Sequence, residues 1–138
     1  MSITTRLFTP CALALTLVAC ATGPTLQERL AELTPEERQA ALAPLICDDP
    51  VTCAKYWRRA QAWIIGNSGM KVQTATEMQI STFNALSYST VWAYTARREP
   101  LEGAKERIWL TPSCGQTPLC GDNPYRLILD FKRYVASK

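Results

Sequence analysis

The chain contains no histidine among its 138 residues. That removes the commonest general base at neutral pH and the commonest metal ligand, so Ser-His-Asp, Cys-His and histidine-based zinc sites are excluded together. No C-x-x-C redox pair, G-x-S-x-G elbow, phosphate-binding glycine loop or calcium loop occurs. Charge of one sign is also scarce, with 15 Lys and Arg against 12 Asp and Glu. A balance of +3, with Arg58-Arg59, Arg97-Arg98 and Lys132-Arg133 dispersed along the chain, argues against a nucleic-acid surface. The longest apolar run, near the N-terminus, falls well short of the roughly 20 residues a membrane-spanning helix requires. A 47% hydrophobic content nevertheless supports one folded core, and the length allows one domain.

Six cysteines are present, at positions 11, 20, 47, 53, 114 and 120. The first two belong to the N-terminal segment. Arg6 supplies a thin positive flank, and Cys11 to Ala19 form a short apolar region closing on Leu17-Val18-Ala19-Cys20. This pattern resembles the lipobox of bacterial lipoproteins. The resemblance implies cleavage before Cys20, lipidation of Cys20 and a mature chain of 119 residues. Ala19-Cys20-Ala21 also reads as an ordinary signal-cleavage site after Ala21, which would give a soluble periplasmic protein. Ala21, rather than aspartate, follows the cysteine; by the same resemblance this favours the periplasmic face of the outer membrane.

Residues 1–19 are thus expected to be a lipoprotein signal peptide and residues 20–25 a lipidated tether, small and polar in composition. Residues 26–46 form a helical lead-in. Leu26, Leu30 and Leu33 recur at helical spacing, and Thr34-Pro35-Glu36-Glu37 reads as a capping box with proline in the first turn. The amphipathic segment packs on the domain or forms a partner-binding arm.

The remaining stretch, residues 47–138, reads as a disulfide-stapled α+β domain. Asp49 caps a helix begun by Pro50, with Cys53, Trp57, Ala60 and Ile64 on one stripe and Arg58, Arg59 and Gln61 turned away. From Met70 to Thr82 the period becomes two, which predicts one long strand with a bend near Ala75-Thr76, or two strands. Further strands are expected at 89–98, with Trp92, Tyr94 and Ala96 on the parity opposite Val91, Ala93 and Thr95, and at 105–111, with Ile108 and Leu110 opposite Arg107 and Trp109. Asn123 and Pro124 start a closing helix whose apolar face is Leu127, Ile128, Phe131, Tyr134 and Val135; Lys132, Arg133 and Lys138 suit its C-terminal dipole. The short connections predict an antiparallel sheet of three or four strands, packed on one face by two helices.

Cys47, Cys53, Cys114 and Cys120 are expected as disulfides, since an exported chain oxidises an even set. Four cysteines allow three pairings, of which the local Cys47–Cys53 and Cys114–Cys120 are preferred, each joining a loop to a helix start. Redox and four-thiolate zinc roles fit the spacing poorly. No catalytic, cofactor-binding or metal-binding residues are assigned. The carboxylates Asp48, Asp49, Glu77, Glu99, Glu102 and Glu106 form no pattern that sequence can identify as an acid and base pair.

Cys47-x5-Cys53 with Tyr56-Trp57 and Ala60-x-Ala62-Trp63, then Pro124-Tyr125 and Phe131-Lys132-Arg133-Tyr134, resembles a group of small uncharacterised proteobacterial envelope proteins. The resemblance covers residues 47–138 and brings no activity and no functional residues. The expected role is a non-enzymatic envelope lipoprotein, structural or partner-binding, attached to the membrane through its lipid, with an envelope protein as the partner. The alternative is a small periplasmic enzyme or ligand-binding protein acting on cell-wall or lipid material, with Glu77, Arg97 or Arg98 in a pocket between helices and sheet.

Overall fold

A computed structural model describes residues 23–115 and 119–137. The segment expected to be a lipobox, with Cys11 and Cys20, and Lys138 lie outside the described residues, as do residues 116–118. Among the described residues the fold is α+β, built on a five-stranded antiparallel sheet with four helices.

Two short helices lead in. α1 (Leu26–Ala31) is capped by Thr25, whose hydroxyl accepts from the Glu28 amide while Glu28 accepts from the Thr25 amide at 2.6 Å. Thr25 therefore belongs to the helix start and not only to the tether. Across α1 the inward residue is Arg29, while Leu26 is exposed, so the expected leucine stripe is only partly inward. α2 (Pro35–Leu42) begins with the expected capping box of Thr34 and Glu37.

The next element is a correction to the sequence reading. Leu45–Cys47 forms a three-residue strand, β1, pairing Leu45 with Ile108 and Cys47 with Glu106. Three residues are too few to show alternation, and their conformation is set by pairing with a partner some 60 positions later. β1 raises the sheet to five strands.

α3 (Pro50–Asn67) is capped by Asp49, which accepts from the amides of Val51 and Thr52, both at 3.0 Å. The alternating stretch after it divides into β2 (Val72–Ala75) and β3 (Gln79–Thr82). Thr76 makes the turn: its hydroxyl accepts from the amides of Met78 and Gln79, and its own amide donates to the Gln79 carbonyl. All four residues of β2 are exposed, although alternation predicts one buried face. β2 is one of the two edge strands, and there period two reflects pleating alone.

β4 (Ala93–Pro100) and β5 (Glu106–Ser113) pair along their whole length around a turn containing Gly103, whose φ of 74° suits glycine. α4 (Pro124–Ala136) closes the chain from the Asn123 cap. The strand order is β1-β5-β4-β3-β2.

Both long helices cover one face of this sheet. Trp57, Trp63, Ile64, Phe131 and Val135 from the helices meet Ile80, Tyr94, Ala96, Ile108 and Leu110 from the strands. Burying each large side chain contributes about 1.5–3 kcal/mol. Trp63 stands edge-on to Tyr94 and to Phe131, at 5.1 and 5.4 Å between centroids. Both indoles of α3 are satisfied: Trp63 donates to Asp130 at 3.1 Å and Trp57 to the Thr76 carbonyl at 3.3 Å.

Three cationic or aromatic side chains act differently from the sequence reading. Arg59, expected to point away, donates to the Tyr134 carbonyl at 2.9 Å and to Ser137, tying α3 to the end of α4. Tyr134 lies outside the core, stacked under the Arg59 guanidinium at 4.9 Å. Lys132 donates to the carbonyls of Ala40, Ala41 and Ala43, so it caps α2 rather than serving the dipole of its own helix. Burial pushes its amine below the ordinary lysine value. The lead-in thus packs on the domain, secured further by Asn123, which donates to the Arg29 carbonyl and to Glu32.

Candidate functional site

Cys47 bonds Cys53 and Cys114 bonds Cys120, the local pairing in both cases. The Glu106 carboxylate lies close to the sulfurs of Cys47 and Cys53. Sulfurs joined to one another carry no thiolate charge, so this trio offers a metal little beyond one carboxylate.

The space between helices and sheet is filled by the apolar cluster. Glu77, considered as a polar group for a pocket there, has a side chain 92% exposed and lies 4.0 Å from Arg98. Arg98 does lie on the helix-side parity, but at the margin of the sheet. It forms a two-pronged ion pair with Glu106, which raises its already high pKa. Arg97 points to the opposite face. The interior pocket envisaged for the second reading is therefore not where these groups sit.

The chemistry is gathered instead on the face the helices leave uncovered. Alternation puts Thr95, Arg97 and Glu99 of β4 on that face, and antiparallel register places them against Thr111, Trp109 and Arg107 of β5. On the other side of β4, Gln79 pairs with Arg97 and Ser81 with Thr95. Arg107 donates to Glu99 at 2.6 Å and stands 5.7 Å from the Trp109 ring centroid. A shallow groove of about 430 Å³ on this face is lined by Thr95, Arg97, Glu99, Trp109, Leu110 and Thr111.

Within the groove, Glu99 is neutralised by Arg107, whereas Arg97 has no ion-pair partner among the described residues. An open guanidinium beside an indole, flanked by hydroxyls, suits recognition of a chain or surface that carries carboxylates and polar groups. Asp48 is paired with Lys105 at 3.2 Å, and Asp49 is held below the ordinary carboxylate value by its hydrogen bonds with Thr52. Each has a structural task.

Sequence reasoning named Arg97 but located it wrongly, and it missed Trp109 as a groove residue. The signal was present: Trp109 lay on the parity opposite Ile108 and Leu110, which marks it as outward. What sequence could not show is that its cross-strand neighbour is Arg97. Comparison with known proteins adds no relative: no family model, no curated protein and no solved structure matches the chain.

Proposed function

We propose that the chain is a non-enzymatic envelope lipoprotein, held by lipid on Cys20 at the periplasmic face of the outer membrane, where its open sheet face binds an envelope partner. The anchor rests on Leu17-Val18-Ala19-Cys20 and on the small, polar residues after it. The binding role rests on one observation above all: the unpaired Arg97 beside Trp109 in a groove open along the strands. A shallow groove favours an extended partner over an enclosed small molecule. The partner this chemistry fits is an envelope protein presenting acidic and polar side chains.

Two experiments test the two halves. Radiolabelled palmitate is expected to enter the wild-type protein and not Cys20→Ala; a variant that stays equally membrane-bound overturns the anchor. A photo-crosslinking amino acid at position 109 is expected to capture one defined envelope protein, and Arg97→Ala to reduce that capture. Recovery of the same scattered neighbours from position 109 and from exposed position 51 would sink the binding role.

A further inference from the structure

Around the second bridge, two long stretches of the chain are free of charge, flanked by Lys71, whose carbonyl accepts from the Phe83 amide, and by Asp122. Residues 78–96 and 108–121 contain no Asp, Glu, Lys or Arg. The first stretch includes the loop between β3 and β4, where Phe83, Leu86, Tyr88 and Val91 are exposed; Leu119, beside Cys120, is exposed as well. This loop is built and not merely extended. The Ser89 amide donates to the Leu86 carbonyl at 2.8 Å, the Ser89 hydroxyl accepts from the Val91 amide at 3.1 Å, and the Cys114 sulfur rests 3.5 Å from the Ser89 carbonyl. Apolar side chains held outward on a fixed loop mark a docking surface.

The position of the chain's beginning identifies the occupant. Leu26 lines a recess with Trp92, Pro112, Ser113, Cys114 and Pro124, so the described chain starts at this same end. Fully extended, the six steps from Cys20 to Leu26 reach about 20 Å. An eight-residue strand such as β5 is itself about 26 Å long, so a lipid on Cys20 cannot leave this end far from the bilayer. The opposite end bears Asp48, Lys105, Arg98, Glu99, Glu106 and Arg107, which favour water.

We infer that Phe83, Leu86 and Tyr88 insert at the bilayer surface and orient the anchored domain with its first bridge directed into the periplasm. This inference rests on the reading that Cys20 carries lipid. The anchor holds the protein, while the apolar loop sets which way it faces and leaves the Arg97 groove clear of the membrane.

The test uses full-length, cell-processed protein reconstituted in phosphatidylethanolamine and phosphatidylglycerol vesicles, with and without bromine on the acyl chains. Tyr88→Trp and Val51→Trp replace side chains that are 70% and 80% exposed at the two ends, so neither disturbs packing. The bromine-dependent loss of fluorescence, beyond that of the four native tryptophans, is expected to be at least threefold greater for Tyr88→Trp. Mass spectrometry and vesicle flotation are read on the same samples. Acylated protein that floats but quenches equally at both positions overturns the orientation and leaves the anchor standing. Protein that lacks acyl mass and does not float overturns the anchor, and the orientation with it.

Discussion

Cys47–Cys53 and Cys114–Cys120 each enclose five residues and each precede or enter a helix with proline in its first turn, yet their surroundings are opposite. Around the first, Lys105 pairs with Asp48, Arg98 with Glu106 and Arg107 with Glu99, and the helix cap is the titratable Asp49. At the second, residues 108–121 carry no charge and Asp122 follows them, the cap is Asn123, and the neighbouring loop holds apolar side chains outward. A bridge of this size restrains the unfolded chain similarly wherever it stands. What differs is the chemistry each end presents, ion pairs at one and outward apolar side chains at the other, and the orientation we infer at a lipid surface rests on that difference.

Removing the bridges tests the shared part of the comparison and carries the largest effect. Cys47→Ser with Cys53→Ser, and Cys114→Ser with Cys120→Ser, are each expected to lose about 2–3 kcal/mol in denaturant titration. Loss at only one end would show that one bridge merely decorates a loop already held by packing.

Contact between loops is the next distinction. A Cβ at Gly115 would run into the Leu86 carbonyl oxygen, whereas a Cβ at Gly121 meets nothing within 4 Å. Gly115→Ala should therefore destabilise by about 1–3 kcal/mol. Gly121→Ala should stay within about 0.5 kcal/mol, as surface changes do. Equal stability of the two variants would mean that the loop at residues 83–92 does not depend on the second bridge's position.

Within the charged pole, burial distinguishes two ion pairs next. Arg98→Ala leaves the largely buried Glu106 without its partner, at an expected cost of about 1–2 kcal/mol. Arg107→Ala breaks a pair that is about two-fifths exposed on each side and should cost less than about 1 kcal/mol. Thermal melts at low and high salt provide the check: the Arg107 effect should shrink with salt more than the Arg98 effect.

The smallest effect concerns pH. Because hydrogen bonds with Thr52 lower the folded pKa of Asp49, its stabilisation is fully present above the ordinary aspartate value near pH 4. It is lost as pH falls further, through the lower folded value. Asp49→Asn should flatten that acid slope, whereas substitutions at the Asn123 cap should leave it unchanged. Denaturant midpoints measured between pH 5 and 2 would show it, and an unaltered slope in Asp49→Asn would assign the acid sensitivity to other carboxylates. At the alkaline extreme, desolvation and then the charges of Asp122 and Asp130 push Tyr94 up to about 12. Its contribution is complete below pH 10 and disappears as pH rises toward 12, a loss that Tyr94→Phe should not show.

Sequence by itself determined the local features: the caps at Thr34, Asp49 and Asn123, the shared parity of Tyr94 with Ala96 and of Ile108 with Leu110, and the α+β class. These follow from interactions between near neighbours and from the periods of helix and strand. Tertiary structure alone decided the rest. β1 exists because β5 offers it a partner, Arg59 and Lys132 reach across to carbonyls of distant segments, and Lys132 reaches residues 89 to 92 positions earlier. Likewise, Arg97 meets Trp109, and Leu26 joins Trp92 and Cys114 at the pole of the second bridge, only after the sheet has formed. Such meetings depend on register and topology, which leave no periodic trace in the chain.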